Sequence, residues 1–169
     1  PSAERNYVCY AQSRDGKRWT RPSLGLLEIN GSTANNAVFT PDSTESMGGN
    51  AAVFLDRRPG IPAHERIKLV VSTQLGRALV CYVSQEGQRF RRLKQTPLYT
   101  RDLKNAHDSM TCVFWSVSEN CYVSYFRHSQ GGRRAVARTT SSDFVEWTPA
   151  ILMRYSDTGT PTPSPVSYT

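Results

Sequence analysis

The stretch SRDGKRW, Ser13 to Trp19, places a serine, an aspartate and a glycine ahead of an aromatic residue. Short polar side chains that bond their own backbone, followed by a residue free to take positive φ, mark a tight turn. A large ring closing such a turn can fold back onto it. The fold depends on whether this turn occurs once or recurs, and it recurs. VCYAQSRDGKRWTRPSLGL from Val8 and VCYVSQEGQRFRRLKQTPL from Val80, aligned without a gap, share VCY, a polar turn with glycine, an arginine and an aromatic. A looser third copy, AVARTTSSDFVEWTPAILM, starts at Ala135. The three rings, Trp19, Phe90 and Trp147, lie 71 and 57 residues apart. The heptad closes a repeated unit.

No segment sustains a helical period. NYVCYAQS, NAAVFLD, IKLVVSTQ, ALVCYVSQ, MTCVFWSV, CYVSYFRH and RAVARTTS are short runs rich in Val, Tyr, Phe and Thr, and they predict strands. SENC and SQGGRR predict hairpin turns between neighbours. NAAVFLDRR and MTCVFWSVS each open a unit, which continues through a second strand to the closing strand and turn. A unit is thus about four strands, and an all-β chain of such tandem units predicts propeller blades, because one sheet cannot cover both its own faces. The units fall at 48–97 and 108–153; residues 1–47 hold the end of a preceding blade and a connection, and 154–169 lead towards a further one. Two and a half blades close no ring, so the single domain 1–169 is expected to be a partial propeller and a piece of a longer protein. The opening PSAERNYVCY, without Met or an apolar stretch, fits a removed leader or such a piece.

The 169 residues are 38% hydrophobic and 21% charged, enough for one domain with a sizeable core. No apolar run is long enough for a membrane helix, so no membrane partner is expected. The formal charge is +7, but the basic residues are scattered. The densest run, GQRFRRLK at 87–94, reads as a solvated outer strand with Arg89 and Arg91 on one face and Arg92 and Lys94 on the other. No nucleic-acid-binding motif surrounds it, and no nucleic acid is expected as partner. Cys9, Cys81, Cys112 and Cys121 form no CxxC pair, which leaves neither a metal site nor a cofactor in prospect. They read as buried free thiols, with Cys121 opposite Ser116 across a hairpin. Asn30-Gly31-Ser32 is a formal glycosylation sequon, informative only in a secreted eukaryotic protein. The compartment stays open.

Taken together, SRDGKRWTRPSLGLLEINGSTANN, HDSMTCVFW, CYVSYFR and ARTTSSDFVEW resemble the five-bladed β-propeller proteins of glycoside hydrolase families 32 and 43. In particular they are similar to a bacterial, often exported, glycosyl-hydrolase-like group of that superfamily. The resemblance runs from about Tyr7 to Thr169 and implies a carbohydrate substrate, an exported location and further blades of the same protein as structural partners. It implies an active site in a funnel lined by acids near the start of each innermost strand. Glycoside hydrolysis uses two carboxyls, one to protonate the leaving oxygen and one as nucleophile or base. Here Asp108, opening DSMTCVFW, matches such a position, with the implied role of stabilising the transition state or tuning the acid. His107 would contact substrate hydroxyls. The matching place one unit earlier is near Gly48, without a carboxylate, where Asn50 could offer a polar contact. An Asp at a strand start can equally cap a turn.

The remaining acids read as structural. Asp15 and Asp143 lie in closing turns, Asp56 at a turn or in an ion pair, and Glu65 beside Arg66 as a pair. Trp115 alternates into the core. A sialidase-type propeller is the first alternative, but SRDGKRW is one residue short of S-x-D-x-G-x-x-W. The second is a propeller without catalysis that binds carbohydrate or protein. No GxSxG, GxxxxGK[ST] or HExxH motif points to other chemistry.

Overall fold

The computed structural model describes residues 6–41, 51–72, 78–93, 99–100, 111–130 and 133–154. They form an all-β chain of antiparallel sheets, none of them closed, with one 3-10 turn at Ala63–Glu65. A two-stranded sheet joins β1 (Val8–Cys9) to β2 (Ala37–Phe39). The second sheet runs β3 (Ala51–Leu55), β4 (Ile67–Ser72), β5 (Ala78–Ser84) and β6 (Arg91–Arg92). β7 (Tyr99–Thr100) pairs with the beginning of β5, so it and β6 occupy one edge in two pieces. The third sheet runs β8 (Cys112–Ser116), β9 (Cys121–Gln130), β10 (Arg133–Ser141) and β11 (Ile151–Leu152). The sheets share no strand.

Packing explains why β4 and β5 read as continuous apolar runs rather than alternating ones: both faces of the second sheet are covered. Leu69, Val71 and Val80 pack with Val38 and Phe39 of the first sheet, and Phe39 and Tyr82 meet at 4.5 Å between ring centroids. Val70, Cys81 and Val83 point the other way, onto Val113, Tyr122 and Phe144 of the third. Burial at that second interface pushes the Cys81 thiol pKa up.

The repeat is visible in its closing turns. Ser13 Oγ accepts from the Gly16 amide at 2.9 Å, and one Asp15 carboxylate oxygen accepts from the Lys17 and Arg18 amides, both at 2.8 Å. Ser141 and Asp143 repeat this pattern with the amides of Phe144, Val145 and Glu146. Trp19 and Trp147 each donate Nε1–H to the carbonyl of the turn's fourth residue. In the middle copy Ser84 holds the Gly87 amide and Glu86 replaces the aspartate, reaching the Arg89 amide. The fourth residue takes positive φ every time, 71° at Gly16, 80° at Gly87 and 71° at Phe144. A phenylalanine there is strained by about 1–2 kcal/mol. It is held because its ring is buried against Tyr122, Trp147 and Phe54.

These equivalences correct the gapless alignment from Val8 and Val80. The turns match Ser13 to Ser84, so the two VCY triplets are one residue out of step, and a one-residue slip turns a strand over. Val8 and Tyr10 accordingly face the second sheet, whereas Val80 and Tyr82 face back towards the first. The aromatic rings also differ in surroundings. Phe90 packs with the interface between the first two sheets and Trp147 with that between the last two, but Trp19 is 62% exposed.

Other expectations meet the structure residue by residue. Cys121 does pair with Ser116, and the described cysteines are free thiols. Only Cys81 is buried, however; Cys9 and Cys112 are exposed because their strands are open to solvent on that face. Among the described residues 87–93, only Arg91–Arg92 is strand and Arg89 sits in the closing turn, while Lys94 lies outside the described residues. Glu65 and Arg66 are not partners of each other: Arg91 pairs with Glu65 at 3.0 Å, while Arg66 Nε donates to the Gln85 carbonyl at 2.7 Å.

The aspartate turns carry a measurable signature. The amides of Glu146 and Val145 stabilise the carboxylate form of Asp143 and lower its pKa from the ordinary 3.8. A lowered folded pKa means that the turn's stabilisation is present above the unfolded value and is lost as pH falls through the folded one. The Val145 and Glu146 amide NMR shifts should therefore titrate with a midpoint below 3.8. A midpoint at or above that value would mean that the carboxylate does not hold these amides.

Candidate functional site

Asn50, His107 and Asp108 lie outside the described residues. The strands they precede in the chain are described, and their placement is informative. β3 and β8 are the first strands of their sheets, and of all strand pairs drawn from different sheets they make the most extensive approach among the described residues. Their direction follows from a contact at one end. Asp56 directly follows β3, and Tyr122 pairs with Trp115 near the end of β8. Tyr122 OH donates to Asp56 Oδ2 at 2.6 Å, so the final residues of both strands lie together. The beginnings of both strands, at Ala51 and Cys112, therefore fall at the opposite end of the sheets.

Both units also keep one register from their first strand to the closing turn. Phe54 pairs with Lys68 and Lys68 with Val83, directly before Ser84. Phe114 pairs with Val123 and Val123 with Thr140, directly before Ser141. Phe54 thus corresponds to Phe114, an offset that sets Gly48 in correspondence with Asp108 along the sequence. One unit leads into its first strand with a carboxylate and the other without.

The structure also holds a buried charged group that sequence reasoning did not assemble. Lys68 Nζ lies 2.7 Å from Asp56 Oδ2, with the two side chains 1% and 0% exposed. The ammonium also donates to the Glu65 carbonyl at 3.1 Å and sits 5.2 Å from the Phe144 ring centroid. Asp56 Oδ1 accepts from the Arg58 amide at 3.0 Å, and the Arg58 guanidinium lies 5.6 Å from the Tyr122 ring centroid. Burial, and then the bond to Asp56, push the Tyr122 phenol pKa up, so the hydroxyl stays a donor. The turn or ion-pair role expected for Asp56 is what the geometry gives. A signal was present: Lys68 interrupts an apolar run, and a lysine in a strand covered on both faces needs a buried counter-charge. Trp115, as expected, packs against the core, edge-on to Tyr122 at 4.9 Å.

This cluster sits at the end of β3 and β8 away from their beginnings, and its carboxylate is fully engaged. It can fix one sheet against the next, but it offers no free acid to a substrate. Among the described residues, no group of three or more His, Cys, Asp or Glu side chains could hold a metal ion. No helix among them is long and apolar enough to cross a membrane. No family model matches the sequence, and a search of curated proteins finds no match.

Proposed function

We propose that the chain forms about two and a half blades of a five-bladed β-propeller whose funnel hydrolyses glycosidic bonds in oligo- or polysaccharides. The observation that carries this reading is the convergence of the two sheets on their first strands, β3 and β8, with both beginnings at one end. Sheets that converge in this way are wedges, and wedges repeated about an axis enclose a channel lined by first strands. The segments leading into those strands then supply the funnel. In this chain they carry Asn50 before β3, and His107 and Asp108 before β8.

Within that reading Asp108 is one of the two carboxyls that glycoside hydrolysis uses, and the second comes from another blade of the same protein. Asp108 stabilises positive charge on the sugar ring in the transition state or tunes the acid, while His107 and Asn50 contact substrate hydroxyls. A second reading, a propeller that binds saccharide without cutting it, draws on one specific observation. The unit that begins at β3 has glycine at the place corresponding to Asp108.

The intact protein, incubated with a panel of nitrophenyl glycosides and neutral oligosaccharides, is expected to release nitrophenol or reducing ends from at least one. Retention of an oligosaccharide with no bond cleaved across the panel would replace hydrolysis with the binding reading.

A further inference from the structure

The first sheet is the outer half of a unit. Ser13 corresponds to Ser84, and on that offset the pair Val8 and Phe39 matches Leu79 and Tyr99, while Gln12 and Thr20 match Val83 and Arg91. β1 is therefore the counterpart of β5, and β2 that of β7. In the second sheet β5 is joined to β4 and then β3, and in the third β10 is joined to β9 and then β8. Among the described residues the first sheet has no counterparts of β3 and β4.

The second sheet shows the consequence on its own surface. Where β1 and β2 lie against it, Leu69, Val71 and Val80 are at most 1% exposed. Phe54 faces the third sheet, so its neighbours Val53 and Leu55 face the side of the first. They are 51% and 53% exposed. Their counterparts on β8 are covered: Val113 is buried and Trp115 half-buried, packed in one cluster with Phe54 of β3 and Val70 of β4. The same two positions are thus closed in one unit by the inner strands of the sheet before it, and open in the other.

β1 has an edge for such strands. In antiparallel pairing, successive N–H groups point to opposite edges. Those of Tyr10 and Gln12 go to the Asn36 and Thr20 carbonyls, on the edge that β2 occupies, so Cys9 and Ala11 turn theirs to the other edge. Cys9 and Ala11 correspond to Val80 and Tyr82, which pair with Val71 and Leu69 of β4.

We infer that this edge of β1 and the open face of β3 form a slot for an antiparallel hairpin from another part of the same protein, which completes the first sheet. The inference rests on the reading of the chain as part of a longer propeller, and it names what seats beside β1. The same protein is the source because one chain supplies all four strands of each complete unit. Main-chain bonds at Cys9 and Ala11 set the register of the added strand, and its alternate side chains give the fit. Those facing Val53 and Leu55 are apolar, since they remove apolar surface from water. Ile67 stands where Tyr122 stands in the next unit, so no hydroxyl awaits a carboxylate there. The hairpin therefore needs no counterpart of the buried Asp56 and Lys68.

The test reads single-residue hydrogen exchange in the intact protein. The Cys9 and Ala11 amides are expected to exchange about 10²-fold or more slower than in an unstructured peptide, as the Val80 and Tyr82 amides should inside a complete sheet. Leu55→Ala should lower the melting temperature by about 5 °C or more, the response of a covered leucine. The same change on an open surface moves it little. Free exchange at Cys9 and Ala11 beside protection at Val80 and Tyr82 would overturn the inference, and so would an unshifted melting temperature. Protection that disappears on dilution, together with a dimer in sedimentation, would give the slot to a second copy and overturn it as well. Glycoside cleavage is scored separately. An open edge in a protein that cuts glycosides sinks the slot alone, and a closed edge without cleavage sinks the hydrolase reading alone.

Discussion

Asp108→Asn in the intact protein is expected to cut glycoside turnover by on the order of 10² or more and to leave the fold unchanged. The substitution keeps size and shape and removes one negative charge. If the carboxylate faces developing positive charge on the sugar ring, its contribution is larger in the transition state than in the ground state, so kcat should fall more than KM rises. A turn-capping aspartate behaves differently. Asparagine accepts the same backbone amides, so a structural Asp108 would leave turnover near the parent value. The glycine at the corresponding place in the preceding unit argues in the same direction, since that unit forms its sheet without a carboxylate there. Turnover of the parent substrate at full rate by Asp108→Asn would remove Asp108 from the catalytic set. A large loss accompanied by a lowered melting temperature would assign it to structure instead.

The legible parts of the fold are those in which a local rule suffices. Ser13, Asp15 and Trp19 announce their turn because each bonds groups within a few residues, and the same holds for Ser141, Asp143 and Trp147. The pairing of Cys121 with Ser116 follows from hairpin length alone. What depended on distant groups was harder to read. The two VCY triplets look equivalent because composition is blind to which face a residue occupies, and only the sheets on either side show that they point opposite ways. Asp56 and Lys68 are separated by a 3-10 turn and meet only in the folded chain, with Tyr122 contributed by the next sheet. Phe144 stands where glycine is the easier residue, and its reason lies in ring contacts that no turn rule contains. The candidate site was legible as a position in a repeat, but its chemistry needs the arrangement of several such positions.

Lys68→Met is expected to destabilise the protein by about 3–5 kcal/mol, lowering the melting temperature by about 10 °C, because it strands a buried carboxylate. Without the ammonium, Asp56 keeps only the Tyr122 hydroxyl and the Arg58 amide. Asp56→Asn should cost a similar amount by leaving Lys68 buried with the Glu65 carbonyl and the Phe144 ring face. The double variant Asp56→Asn, Lys68→Met should be closer to the parent than either single variant. It removes both charges, keeps an acceptor for Tyr122 and roughly preserves volume. The neighbouring unit supports this, because Ser116 and Val123 stand at the places corresponding to Asp56 and Lys68, and that sheet pairs in the same register with no ion pair at those two places. The network's distinct effect is to tie two sheets together: Asp56 and Lys68 belong to one and Tyr122 to the other. Tyr122→Phe, which cuts only the link between sheets, should cost about 1–3 kcal/mol through the carboxylate oxygen it leaves less satisfied. In a double-mutant cycle the Asp56 and Lys68 variants should show strong positive coupling, well beyond about 0.5 kcal/mol. Additive losses would mean that the two side chains are stabilised by separate surroundings rather than by each other.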